Sequence, residues 1–145
     1  MVRFGDTKEG GILSFRVSPS MRGDKGGVIR NSLGGLGEPA CWGKRAEWCD
    51  YTGPLEGGKA GITVFDHPEN FRHPTYWHVR AYGLFTANPF GTSYFERDKS
   101  LDGSLTIDEG ETLRFRYRAL IHLDEVEPKL LDKLFEEYVE GREPV

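Results

Sequence analysis

A mainly β chain, folded as an antiparallel β-sandwich with one C-terminal amphipathic helix, follows from three features of the 145-residue sequence. Its nineteen glycines and eight prolines disfavour long helices, because each glycine costs a helix interior about 1 kcal/mol and each proline about 3. Several short stretches alternate apolar and polar residues, the period of a strand with one buried face. Only Pro128 to Gly141 sets its apolar residues at helical spacing. With 37% hydrophobic and 12% aromatic residues the chain can bury a core, and its length suits one domain spanning 1–145.

In chain order, Gly10 to Val17 alternates Leu13, Phe15 and Val17 with Ser14 and Arg16, a half-buried strand that Pro19 ends. Arg22 to Gly27 is a turn, and Val28 to Asn31 returns as a strand. Leu33-Gly34-Gly35-Leu36-Gly37 lacks the Lys-Ser/Thr ending of a P-loop and leads into Glu38-Pro39 rather than a helix, so it does not cradle phosphate. No cofactor is expected. In Trp42 to Tyr51, Ala46, Trp48 and Asp50 share one strand face while Glu47, Cys49 and Tyr51 share the other.

Gly53-Pro54 and Glu56 to Lys59 form a turn, Ala60 to Phe65 is a strand, and Asp66 to Asn70 is the loop after it. His73 to Gly91 reads as two strands with a bend near Gly83, with Trp77 and Val79 facing the core and His78, Arg80 and Tyr82 facing away. The longest strand is expected over Thr112 to His122. There Leu113, Phe115, Tyr117, Ala119 and Ile121 make a core stripe, with Arg114, Arg116, Arg118, Leu120 and His122 opposite. Pro128 suits the first turn of the closing helix and Gly141 its stop.

A net charge of −4 and a pI near 5.6 argue against nucleic acid, whose binding leans on a basic surface. No apolar run approaches the roughly 20 residues that cross a bilayer, and the first residues show no signal-peptide core. A cytoplasmic protein, with Cys41 and Cys49 as reduced thiols, is the expectation. Two strands therefore carry the chemistry: His78, Arg80 and Tyr82 on one, Arg118 and His122 on the other. Trp48 beside Asp50 suits a sugar, whose C–H face stacks on an aromatic ring while its hydroxyls hydrogen-bond. His67, held extended before Pro68, and Asn88 complete the candidate ligand contacts.

Trp42 to Trp48, Asp66 to Asn70, Tyr76 to Phe85, Asn88 to Gly91 and Arg116 to Arg118 together resemble a bacterial family of uncharacterised proteins labelled "methane oxygenase PmoA". The resemblance covers nearly the whole chain. The membrane subunit of that name spans the bilayer and no segment here does, so the label is not expected to describe this chain. Members run longer, with the match in their C-terminal half. The resemblance thus implies a half-length version or a fragment, with either a homo-oligomer or an N-terminal half to complete the sandwich. By fold the family is similar to the galactose-mutarotase type of large β-sandwich, which implies sugar binding on a concave sheet through His, Arg and carboxylates.

Three readings follow. In the first, a sugar or sugar acid lies on a polar face carrying His78, Arg80, Arg118 and His122, with Trp48 as platform. His78 and His122 would move protons, with Asp50 or Asp66 as base, in a hydrolase, lyase or epimerase. In the second, His67, His78 and His122, with Asp66, hold a mononuclear oxygenase metal, although nearby arginines repel a cation. In the third, the charges pair internally and the domain is a non-catalytic scaffold.

Overall fold

The structure, a computed structural model, describes residues 1–142. Its strands are β1 (Val2–Phe4), β2 (Leu13–Arg16), β3 (Val28–Asn31), β4 (Trp48–Leu55), β5 (Gly58–Asp66), β6 (Tyr76–Val79), β7 (Leu84–Asn88), β8 (Leu105–Ile107) and β9 (Tyr117–Leu123). The α-helices are α1 (Glu38–Cys41), α2 (Thr92–Phe95) and, after the last strand, α3 (Pro128–Val139), and two 3-10 turns, Pro19–Met21 and Gly23–Lys25, lie between β2 and β3. Every strand pairing among the described residues is antiparallel. A four-stranded sheet, ordered β3-β4-β5-β9, faces a three-stranded sheet, ordered β2-β7-β6, while β1 and β8 form a small ribbon. The result is the antiparallel sandwich with a C-terminal helix that alternation and glycine content imply.

Alternation decides which side chains meet between the sheets. Ile29, Cys49, Tyr51, Ile62 and Val64 from the larger sheet pack against Trp77, Val79, Phe85 and Ala87 from the smaller. Burying each large side chain is worth about 1.5–3 kcal/mol, so this layer dominates stability. A second cluster lies on the far side of the larger sheet. There Trp48 and Phe65 pack on Leu131 and Phe135 of α3, with Leu120 and Tyr138 against them. α3 starts with Pro128 in its first turn, and Gly141 follows it at φ +74°. The bend between β6 and β7 closes where expected. The Arg80 and Gly83 amides donate to Leu84 O and Arg80 O at 2.8 and 2.9 Å, and Gly83 takes φ +101°, a value that suits glycine.

Two expectations for the late strand need correction. It begins at Tyr117 rather than Thr112, because the Asn70 side chain takes the place of a strand neighbour at Arg116. Asn70 Oδ1 accepts the Arg116 N–H and Asn70 Nδ2 donates to Arg116 O, both at 2.6 Å. The apolar stripe is not all core. Ala119 is exposed and Ile121 is 71% exposed, since Ile121 extends the row through Ile62 and Tyr51 to the outermost strand of the larger sheet. The core between the sheets covers Ile62 and reaches that strand only at Tyr117, which leaves Ala119 and Ile121 in water. β4 likewise starts at Trp48, with Trp42 at the end of α1 rather than in a strand.

Candidate functional site

The two polar faces proposed to form one hollow lie on opposite outer sides of the sandwich. Trp77 and Val79 of β6 fill the core, so His78 faces away from it; Tyr51 and Val64 fill it from the other side, so Asp50 and His122 face away in the other direction. The pairing of His78 and Arg80 with Arg118 and His122 is therefore corrected. Each group has its own surroundings.

On the larger sheet, Asp50 and His122 do meet. Strand register places Asp50 opposite Thr63, and Thr52 opposite Gly61 and hence His122. His122 Nε2 lies 2.9 Å from Asp50 Oδ1, and Thr63 and Thr52 hydroxyls donate to Oδ1 and Oδ2 at 2.7 and 2.8 Å. His122 Nδ1 donates to Asp124 O at 2.9 Å. The nearest oxygens to the two ring nitrogens, a carboxylate's and a carbonyl's, only accept, an arrangement that favours the imidazolium. Burial alone lowers its pKa, but the hydrogen bond and charge of Asp50 outweigh burial and raise it. Gly61 makes this approach possible, because a Cβ there would sit 2.2 Å from His122 Cε1. The pair is sealed: the side chains of His122 and Asp50 are 7% and 5% exposed.

The neighbouring candidates are also occupied. Trp48 is 1% exposed, and its Nε1 donates to Asp132 Oδ1 of α3 at 2.9 Å, so its ring supports the helix rather than a ligand. Arg118 stacks over the Tyr138 ring at 4.6 Å and donates to Arg142 O. Asp66, fully buried, accepts from Asn70 Nδ2, the Thr75 amide and His73 Nδ1 at 2.7–2.8 Å. Burial pushes its pKa up against those donors. His67 takes the Glu69 amide on Nδ1 and sits edge-on to Tyr138; burial, then Arg116 and His73, lower its pKa.

On the smaller sheet, Arg80 lines an open cleft of about 560 Å³. Arg80 Nε is 3.0 Å from Glu38 Oε1 of α1, and Glu38 Oε2 takes the Ala81 amide. Partly exposed Trp42 and buried Phe95 of α2 form an aromatic wall, their rings 5.4 Å apart and edge-to-face. Across it stands Glu96, whose Oε1 accepts the Tyr76 hydroxyl at 2.7 Å. Burial and the Glu96 carboxylate push the Tyr76 pKa up to about 12, so that hydroxyl remains a donor. Lys44 and Arg97 complete the rim.

The other candidates of this side lie behind or beside the cleft. His78, 3% exposed, donates from Nδ1 to Lys8 O at 2.6 Å, which leaves Nε2 with its lone pair. Burial lowers its pKa. Its ring meets Trp42 and Phe95 edge-on at 6.2 and 6.0 Å, so it backs their wall. Tyr82 is exposed between Arg16 and Arg80, each guanidinium 5.5 Å from its ring, and Asn88 is fully buried, tying Thr7 O and Lys8 O to the Phe90 amide. Of the sequence candidates only Arg80 lines the cleft. Glu38, Trp42, Lys44 and Glu96 escape a strand-face reading because they sit on one-turn helices and loops, where alternation has no meaning. The one available signal is Trp42 two residues before Lys44.

His67, His78 and His122 do not converge, and among the described residues no group of three or more His, Cys, Asp or Glu side chains is placed to hold a metal ion. No helix among them is long and apolar enough to cross a membrane. No curated protein and no solved structure matches the sequence. A family model does match, over residues 1–136, and its description carries no methane-oxygenase name. The chain belongs to DUF6807, a family of unknown function.

Proposed function

We propose that the protein binds a carbohydrate in the cleft between α1, α2 and β6. One observation carries the reading: a single open cavity of about 560 Å³ brings a partly exposed indole beside an Arg–Glu pair and a second carboxylate held by a tyrosine. That volume falls within the range of about 300–1,000 Å³ typical of small-molecule sites. Sugars offer an apolar C–H face and rows of hydroxyls. An aromatic wall takes the first, while carboxylates accept from and guanidinium donates to the second. His78 holds the wall in place from behind. Hydrolase, lyase or epimerase chemistry would run through Glu38 and Glu96, the carboxylates that line the cavity.

Titration calorimetry with monosaccharides, disaccharides and uronic acids tests the reading. Trp42→Ala should weaken any saccharide that binds by about tenfold or more, equal to about 1.4 kcal/mol, while circular dichroism keeps its β signature. Unchanged affinity in that variant, or no binding by any saccharide, rejects the cleft.

A further inference from the structure

A second cavity of about 570 Å³ is lined by Asp6, Ser93, Tyr94, Arg97, Lys99 and Leu101. Arg97 lines both cavities. Helix α2 separates them: Ser93 and Tyr94 line the second, Phe95 and Glu96 border the first. One helical turn spreads successive side chains around its axis, so a short helix can wall two spaces at once. Arg97 closes that turn at φ +55°, a left-handed conformation uncommon for any residue but glycine.

The two cavities share a chemical character. Tyr94 and Leu101 are 48% and 41% exposed, an apolar platform matching Trp42 and Phe95. Asp6 Oδ2 accepts the Ser93 amide at 3.3 Å and so fixes the carboxylate against the first turn of α2. Lys44, Arg97 and Lys99 have no ion-pair partner among the described residues. These three cations follow one another along the cavities and would seat a ligand's carboxylates, while Glu38 and Glu96 on the same lining accept its hydroxyls.

We propose that the cavities are two subsites of one groove for an acidic oligosaccharide, a chain of sugar rings carrying carboxylates, with Arg97 at the junction. This rests on the sugar reading of the first cleft and extends it. A single ring sits against Trp42 in the first subsite; a longer chain passes Arg97 and places its next rings on Tyr94. Carboxylates of the chain meet Lys44, Arg97 and Lys99.

Titration calorimetry on the whole chain with galacturonate, tetragalacturonate, an alginate tetramer, a hyaluronan tetramer and neutral cellotetraose tests it. At least one acidic tetramer should bind about tenfold tighter than galacturonate and than the neutral tetramer. Tyr94→Ala and Lys99→Ala, both at exposed positions, should remove that gain and leave galacturonate affinity unchanged, whereas Trp42→Ala should weaken both. Equal affinity for monomer and tetramers, a neutral tetramer that binds as well, or an acidic tetramer indifferent to Tyr94→Ala overturns the groove. If Trp42→Ala still weakens the monomer in those cases, the first cleft survives without its extension. Absence of binding by every saccharide removes both.

Discussion

On the larger sheet a carboxylate, an imidazolium and two threonine hydroxyls close on one another in a sealed space; on the smaller sheet Glu38, Arg80 and Trp42 line a cleft open to water. The residue types are alike. What separates them is valence. Asp50 accepts three hydrogen bonds and His122 gives both of its protons away inside the protein, which leaves nothing for a ligand. At the cleft, a carboxylate and a guanidinium pair with each other while standing beside open volume, so both keep capacity toward a newcomer. A histidine beside an aspartate is therefore a poor marker of a site until burial and partner count are known.

The contrast is sharpest if each half is broken separately. Asp50→Ala should cost about 3–5 kcal/mol, because it strands a buried imidazolium; denaturant melts read the loss, and any saccharide affinity measured on the folded fraction should stay unchanged. A melt within 1 kcal/mol of the parent would show that the pair is not the lock it looks to be. Glu38→Gln should behave oppositely. Its ion pair is partly exposed, 33% at Arg80 and 26% at Glu38, so stability should move by less than about 1 kcal/mol, while saccharide affinity falls by about tenfold through loss of a charged acceptor. A large drop in melting temperature with affinity retained would reverse the assignment.

The smallest effect is the pH dependence. The His122 pKa is raised on folding, so its contribution is fully present below the unfolded value of 6.5 and is lost as pH rises through the higher folded value. His67 and His78, whose pKa values are lowered, tilt the curve the other way. The difference between the parent and Asp50→Asn isolates the pair: the parent should lose stability relative to the variant as pH climbs above 6.5. Parallel stability curves would mean that His122 is neutral when folded.

Much of the scaffold was legible from periodicity. Alternation in Leu13 to Val17 and in Trp77 to Val79 assigns inward faces correctly, and Leu131, Leu134 and Phe135 of α3 mark a packed stripe, although Leu130 of the same pattern faces water. Asp50 and His122 are visible as chemistry-bearing residues, yet their meeting is a matter of register between strands 72 residues apart in the chain. Trp48 looked like a platform only because nothing in its own stretch announces that α3 will lie on it. At Ile121 the same ignorance runs the other way, an apolar side chain left in water because the core between the sheets stops short of it.

The order of residues along the chain sets the strand period, the turn glycines and the one amphipathic helix, since each is a contest between neighbours a few positions apart. The tertiary structure alone decides which polar face is roofed and which stays open. That choice depends on which distant element covers each sheet face. On one face α3 covers Trp48 and Phe65. On the other, α1 and α2 flank β6 and leave the gap that became the cleft.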